Sequence, residues 1–253
     1  MTQDCGTPLE AAADIIAGSS CLLAFTGAGV SADSGLPTFR GEGGLWGRYD
    51  ERHLEIDHFR EHPAECWETI RAIFYGTGAG FQPNDAHRVL AGWERDGILD
   101  FLVTQNIDGL HALAGSRAVA EFHGSCSTLR CMRCGTAVEA TAARIAASPP
   151  CCACGGVFKP GFTFFGEAIP ERAREESFAA AGRADACIVI GSTGTVQPAA
   201  SVPRLVKSHG GAVVEVNPEP SEFTRSITDV FLPMGAAEAL RRLDSLVRRR
   251  LGK

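Results

Sequence analysis

Short apolar runs alternate with amphipathic stretches along most of this chain. The apolar runs predict buried strands at 21–25, 98–104, 186–191 and 212–216. Apolar residues at helical spacing predict helices at 9–17, 173–181 and 236–247, the last of them amphipathic. Strands that alternate with helices in this way favour an α/β fold with a parallel sheet.

Two stretches interrupt this alternation. Residues 126–158 carry all of the paired cysteines and predict a small inserted module. Residues 41–82 mix glycine, histidine and aromatic residues, and we expect this cover segment to lie over a site. The remaining parts, about 9–40, 83–125 and 159–247, would then form one large α/β unit within a single catalytic domain spanning 1–253.

Four cysteines have the spacing of a metal site. Cys131 and Cys134 form one CxxC pair, and after sixteen residues Cys151 and Cys154 form another. Two such pairs can give a tetrahedral four-thiolate zinc site, whereas four unrelated buried cysteines would rarely repeat the spacing. Because thiolates fill all four positions, the predicted zinc is structural and the chemistry lies elsewhere. Cys152, next to Cys151, could replace it as a ligand but would break the spacing.

Composition narrows the class of protein. The 253 residues carry a net charge of −6, so nothing suggests a specific nucleic-acid partner. No apolar run approaches the roughly twenty residues of a membrane span, and the N-terminus lacks a basic-then-apolar signal. The cysteines outside the zinc pattern show no disulfide framework. We therefore expect a cytoplasmic protein without a membrane partner.

A glycine-rich segment follows the first predicted strand. Gly27, Ala28 and Gly29 would let the backbone approach a phosphate, and Arg40 adds a cation downstream. The carboxylate that an ordinary dehydrogenase places about twenty residues further on, at the end of a second strand, is absent. The segment therefore indicates a dinucleotide but not hydride transfer.

Polar segments follow other predicted strands. Asn106 and Asp108 offer an amide and a carboxylate in one turn, His123 lies between an aromatic residue and a glycine, and 191–198 is a loop of small residues. Each has a structural alternative, since Asn-Ile-Asp-Gly is a good turn and a histidine is often only a packed residue. Ligands of open α/β sheets bind at these strand ends, which favours a shared site.

The order of these segments closely resembles the sirtuin family of NAD-dependent protein-lysine deacylases. The matching segments are GAGVSADSGLPTFRG (27–41), TQNIDGLH (104–111), FHG (122–124), the two cysteine pairs, KPGFTFFGE (159–167), GSTGTVQPAA (191–200) and VNPEP (216–220). The resemblance covers nearly the whole chain and is nearest the branch that contains demalonylases and desuccinylases, because Thr38 replaces a common aspartate. It implies a Rossmann-like domain with a small inserted zinc module, NAD as co-substrate and one structural zinc.

The resemblance also implies roles for individual residues. His123 would be the general base, with Asn106 and Asp108 at the reacting end of NAD. The peptide would be added as a strand beside the segment that ends at Glu167. The expected NAD-binding residues are Gly27, Ala28, Gly29, Ala32, Phe39, Arg40, Gln105, Asn106, Ile107, Asp108, Gly191, Ser192, Thr193, Asn217 and Glu219. The expected substrate-binding residues are Ile70, Ile73, Phe162, Phe164, Phe165, Gly166 and Glu167.

The expected acyl preference follows from a difference between this chain and relatives that remove acidic acyl groups. Relatives that remove acidic acyl groups carry a Tyr-x-x-Arg pair in the cover segment, and the matching register places Ile70 and Ile73 there. Neither can pair with a carboxylate, so we expect neutral acyl groups to be preferred over succinyl. Arg71 would reverse this expectation if the register were off by one residue.

The expected protein is thus a monomer that transfers acyl groups from acyl-lysine proteins or peptides to ADP-ribose and releases nicotinamide. Mono-ADP-ribosyl transfer or NAD hydrolysis in the same cleft is the alternative within the resemblance. A non-catalytic NAD-sensing zinc scaffold is an alternative of another class, and a thiol redox role would require the cysteines to be free of metal.

Overall fold

A six-stranded parallel sheet forms the centre of the protein, in a computed structural model that describes residues 7–38, 44–76 and 80–253. The strand order is β3-β2-β1-β7-β8-β9, and every neighbouring pair is parallel. The strands are β1 (Leu22–Thr26), β2 (Phe101–Thr104), β3 (Val119–Glu121), β7 (Ala186–Ile190), β8 (Ala212–Val216) and β9 (Val230–Leu232). The α/β fold predicted from the sequence is confirmed.

Helices cover both faces of this sheet. On one face lie α1 (Pro8–Gly18), α4 (Asp85–Arg95) and α9 (Ala236–Leu251), and on the other α7 (Glu171–Arg183) and α8 (Ser201–Ser208). The remaining described helices are α2 (Ile56–Glu61), α3 (Pro63–Ile70), α5 (Leu110–Ala114) and α6 (Ala142–Ile145). Short 3₁₀ turns occupy Ala28–Ser34, Leu45–Gly47 and Glu51–Leu54, and α3 continues into a π-helical turn at Arg71–Tyr75. No described helix has the length and apolar character needed to traverse a bilayer.

Burial on both faces explains the continuous apolar strands. Leu22 and Ala24 of β1 pack toward α1, α4 and α9, whereas Leu23 and Phe25 pack toward α7 and α8. A strand with helices on both sides has no solvent face, so its side chains need not alternate in polarity. The four predicted strands and three predicted helices are confirmed within a few residues at their ends. The edge strands β3 and β9 and the helices α4 and α8 were not predicted, and the strands are too short to show a pattern.

A second, smaller sheet lies beside the first and is antiparallel. Its order is β5-β4-β6, with β4 at Gly124–Cys131, β5 at Ala137–Glu139 and β6 at Phe158–Phe162. Its apolar side packs against the cover segment, where Trp67 is buried and its indole N–H donates to the Phe158 carbonyl at 2.7 Å. The cover segment is therefore anchored to this smaller sheet.

The order of the large sheet reverses direction at the β1–β7 pair, and two loops meet there with almost no space between them. The Gly29 N–H donates to the Gly191 carbonyl at 3.0 Å. A Cβ atom on Gly191 would lie 2.5 Å from the Gly29 Cα, and one on Gly29 would lie 2.6 Å from the Gly191 Cα. Gly191 also has a φ of +63°, which side chains rarely adopt. Only glycine permits this approach.

We therefore expect Gly191→Ala to lower the free energy of unfolding by about 2 kcal/mol or more, through overpacking and left-handed strain. The matched control is Gly182→Ala, at an exposed helical position where an added Cβ meets no atom within 4 Å. It should raise the stability by about 0.5–1 kcal/mol, because alanine is the better helix former. Urea unfolding of both variants measures the difference, and equal stability of Gly191→Ala and wild type would contradict the close approach.

Candidate active site

A cavity of about 560 Å³ opens at the carboxyl ends of the parallel strands, where the strand order reverses. This crevice is the place where open α/β sheets bind ligands. Most residues predicted from the sequence line it, namely Gly27, Ala28, Gly29, Ala32, Gln105, Asn106, Ile107, His123, Phe162, Phe164, Phe165, Gly166, Glu167, Gly191, Ser192, Thr193 and Asn217. The structure thus brings together segments that are far apart in the sequence.

One half of the cavity is glycine-rich and polar. Gln105 Nε2 donates to Ser192 Oγ at 2.8 Å, and Asn217 Nδ2 donates to the Ser192 carbonyl at 3.1 Å. These bonds hold the ends of β2, β7 and β8 together at the floor of the cavity. Since the glycines leave the backbone bare beside them, an extended polar ligand with phosphates can approach closely.

Asn106 and Asp108 form a buried network with a residue that sequence reasoning missed. Ser31 Oγ donates to Asp108 Oδ2 at 2.7 Å, and Asn106 Nδ2 donates to Ser31 Oγ at 3.1 Å. Asp108 Oδ1 also accepts from the Leu110 N–H at 2.9 Å. Asn106 lines the cavity, whereas Asp108 lies behind it and is not a lining residue. Asp108 therefore positions Asn106, and the serine in the glycine-rich segment was the available signal.

His123 lies where the polar half of the cavity meets an apolar half. It follows β3 directly, and its carbonyl accepts from the Thr163 N–H at 2.8 Å, which ties it to the segment after β6. Burial lowers the pKa of His123 from 6.5 to about 4. At neutral pH the imidazole is thus uncharged and able to accept a proton.

Aromatic rings line the apolar half. Phe74 and Phe162 make an edge contact at 5.1 Å between ring centroids, and Phe162 stacks with Phe164 at 5.2 Å. Leu54 and Ile107 complete this wall. Leu54 and Phe74 were not predicted, because the register taken from the sequence pointed to Ile70 and Ile73 as the lining residues of the cover segment.

The prediction that Ile70 and Ile73 contact the acyl group is wrong. Ile70 is fully buried among the side chains between the cover segment and the small sheet, and neither isoleucine lines the cavity. The π-helical turn at Arg71–Tyr75 is wider than an α-helical turn, so the register taken from the sequence does not hold and Phe74 faces the cavity. Arg71 Nη2 instead donates to Ser148 Oγ at 2.6 Å.

Three other predicted ligand residues have different outcomes. Glu219 is exposed and lies outside the cavity lining, although Asn217 and Pro218 belong to it. Phe39 and Arg40 fall outside the described residues, so their predicted roles stay predictions.

An ion pair supports the segment on the apolar side. Lys159 Nζ lies 2.9 Å from Glu167 Oε2, and the Phe164 N–H donates to the same oxygen at 2.7 Å. Lys159 is buried, so its charge is compensated by this carboxylate and by the Pro160 carbonyl at 2.9 Å. The loop from Phe164 to Glu167 is therefore held in one conformation at the cavity rim.

A cysteine cluster lies on the small sheet, away from the cavity. The sulfurs of Cys131, Cys134, Cys152 and Cys154 all lie within 4.8 Å of one another. Cys131 and Cys154 are 3.5 Å apart and Cys134 and Cys152 are 3.8 Å apart, close to the roughly 3.8 Å between sulfurs around tetrahedral zinc. The donor set therefore fits one structural zinc.

The fourth sulfur is not the predicted one. Cys151 Sγ is directed to the Pro149 carbonyl at 3.5 Å, and Cys152 takes the place assigned to Cys151 from the spacing. The Cys151 backbone bridges to Val157, and consecutive residues of an extended strand point to opposite sides. Only one of these two adjacent cysteines can then face the cluster.

We expect Cys152→Ala to lose zinc and to lower the melting temperature, because three thiolates hold the ion less tightly than four. Cys151→Ala, the matched control one residue away, should keep one zinc per chain. Zinc content after gel filtration, measured by mass spectrometry on both variants, distinguishes the two cysteines. Zinc retained in Cys152→Ala and lost in Cys151→Ala would show that Cys151 is the fourth ligand, as the CxxC spacing predicts.

Comparison with known proteins gives the family. The sequence profile of the Sir2 family matches residues 27–198. An NAD-dependent protein deacylase of Aeropyrum pernix is 43% identical over 232 residues, which cover 91% of this chain and 94% of the relative. An NAD-dependent protein deacylase of Pseudomonas aeruginosa is 44% identical over 227 residues, covering 84% and 88%. The crystal structure of a Sir2 homologue in complex with NAD superposes with a TM-score of 0.88, at 41% identity and 96% and 94% coverage. This chain therefore belongs to the Sir2 family.

Proposed function

We propose that this enzyme removes neutral acyl groups from protein lysines, transfers them to ADP-ribose and releases nicotinamide. Membership of the Sir2 family and relatives named for the activity make it an NAD-dependent protein deacylase. One observation supports the finer proposal most directly. An uncharged His123 lines a cavity that has a glycine-rich polar half and an aromatic half.

The polar half suits NAD. Gly27, Gly29 and Gly191 line this half with backbone that a pyrophosphate could contact, while Ser192 and Asn217 offer a hydroxyl and an amide beside them. Asn106, held by Ser31 and Asp108, lies between this half and His123 as a fixed amide. A fixed amide can orient the reacting end of the dinucleotide without the cost of reorganisation.

His123 is the proposed general base. NAD supplies the ADP-ribose that accepts the acyl group and the nicotinamide that leaves. The imidazole of His123 takes a proton from a ribose hydroxyl during the acyl transfer, a task for which a neutral histidine is suited. Zinc held by the four thiolates of the cysteine cluster would have only a structural role, because no ligand position would remain for substrate or water.

The rim of the cavity offers backbone groups to a peptide. The Phe165 N–H donates to the Leu54 carbonyl at 2.8 Å, and the Ile56 N–H donates to the Phe165 carbonyl at 3.0 Å. These bonds form a single parallel bridge between the cover segment and the turn that ends at Glu167. We infer that an acyl-lysine peptide binds beside this bridge through backbone hydrogen bonds, which makes recognition largely independent of sequence.

The aromatic half favours a neutral acyl chain. Among the described lining residues there is no lysine or arginine. Arg71 is bound to the small sheet by Ser148 and the Ala146 carbonyl. The Lys159 ammonium lies 4.2 Å from the Phe164 ring centroid but is already paired with Glu167. A succinyl carboxylate placed between Phe74, Phe162 and Phe164 would be desolvated without a partner. Acetyl and longer apolar chains would instead bury apolar surface there.

His123→Ala should lower deacylation by about 100- to 10,000-fold, because the proton acceptor is removed.

Acetyl-, butyryl-, octanoyl- and succinyl-lysine peptides are compared by the free lysine and nicotinamide that they yield. We expect succinyl to be the weakest substrate. Efficient succinyl removal would refute the neutral acyl preference alone, and nicotinamide release without free lysine would indicate ADP-ribosyl transfer or NAD hydrolysis.

The lowered pKa of His123 predicts the pH dependence of kcat/KM. The free enzyme keeps His123 neutral, and therefore competent, until the pH falls toward about 4. The acidic limb should then have its midpoint well below 6.5, the ordinary value for histidine. Short assays, with folding checked at each pH, measure it. A midpoint at 6.5 would mean that His123 is not buried in the form of the enzyme that reacts.

A further inference from the structure

Three side chains of the cover segment converge at a point outside the cavity. One ring nitrogen each of His53 and His58 and a carboxylate oxygen of Glu65 all lie within 4.8 Å of one another. His53 precedes Leu54 at the end of a 3₁₀ turn, His58 lies in α2 and Glu65 lies in the first turn of α3. Three short elements therefore contribute one donor each.

The contacts of the two histidines suggest a missing ligand. Within the described part of the chain, His58 Nε2 is buried and has no hydrogen-bond partner. A buried imidazole nitrogen without a partner loses its hydration without compensation. His53 Nδ1 is bonded to Thr69 Oγ1 at 2.7 Å, which fixes the ring and directs Nε2 toward Glu65 Oε1 at 3.1 Å. Metal-bound histidines are commonly oriented by such a bond from their second nitrogen.

The donor set matches a transition metal. Donors around tetrahedral zinc, with bonds of about 2.0–2.1 Å, lie about 3.3 Å apart, near the distance between His53 Nε2 and Glu65 Oε1. Two imidazoles and a carboxylate suit zinc and its late first-row neighbours rather than calcium or magnesium. The ring of His62 lies 4.8 Å from that of His58, which brings a third imidazole next to the cluster. The Glu65 side chain is 58% exposed, which gives an ion access.

The cluster is directly linked to the cavity. Between His53 and His58 the chain passes through Leu54, which lines the cavity, and Ile56, whose N–H is bonded to the Phe165 carbonyl. An ion held by residues on both sides of this stretch would restrict its movement away from Phe165. Metal binding would therefore stabilise the contact between the cover segment and the cavity rim.

We propose that His53, His58 and Glu65 form a second metal site, for a divalent late first-row transition ion, and that the ion fixes the cover segment in place. This site is distinct from the cysteine cluster in both its ligands and its location. It does not depend on the acyl preference or on the role of His123.

Zinc stoichiometry tests the site. Untagged protein that carries its structural zinc is equilibrated with micromolar zinc chloride, passed over a gel-filtration column and analysed by mass spectrometry. We expect a second equivalent of zinc in wild type, with a rise in melting temperature, and its loss in His58→Ala and in Glu65→Gln. The second variant changes an exposed carboxylate, so a folding defect cannot explain its result.

His209→Ala is the matched control. This exposed histidine lies at the end of α8, so the substitution removes an imidazole that is not part of the cluster. It should keep the second equivalent. A single zinc per chain in wild type would overturn the proposal, as would a second zinc that survives both site variants or disappears in His209→Ala.

Hydrogen exchange tests the coupling. At zinc concentrations of ten times the dissociation constant, the amides of Ile56 and Phe165 should exchange about tenfold more slowly, since the ion must leave before the segment opens. Glu65→Gln should abolish this protection. Unchanged exchange at a filled site would show that the ion binds without fixing the cover segment.

Discussion

The approach of Gly29 to Gly191 is the constraint on which the rest of the site depends. The two loops leave adjacent strands at the point where the strand order reverses, and one backbone hydrogen bond joins them with no room for a side chain. Because the backbones touch, the ends of β1, β7 and β8 open into one continuous polar surface. Ser192, Gln105 and Asn217 can then bond to one another across loops that are distant in sequence.

Burial of polar groups has opposite consequences in the two parts of the cavity. Asn106 and Asp108 are compensated by Ser31, so the amide is fixed before any ligand binds. His123 receives no such compensation, and its pKa falls until the ring is neutral at physiological pH. The same desolvation that would make a carboxylate costly beside Phe162 and Phe164 thus also prepares a proton acceptor.

The small sheet and the cover segment depend on each other. Trp67 fills the space between them and bonds to the Phe158 carbonyl, while Arg71 crosses to Ser148 in the loop that precedes the zinc-binding cysteines. Loss of zinc would therefore loosen the surface that supports Leu54 and Phe74 at the cavity. The histidine cluster is formed by side chains of the cover segment alone, with His53 oriented by Thr69 of the same segment.

The sequence by itself determined the parallel α/β fold and nearly all of the cavity's polar half, because buried strands and glycine-rich loops need particular residues at particular places. It also indicated a four-thiolate cluster, since the number and spacing of cysteines show it. Only the tertiary structure decided which of two nearby side chains faces the site. Cys152 replaced Cys151, Phe74 replaced Ile70 and Ile73, and Asp108 lies behind Asn106. For the cysteines a local strand, and for the cover segment a π-helical turn, directs one residue toward the site and its neighbour away, and no spacing of residue types specifies that direction.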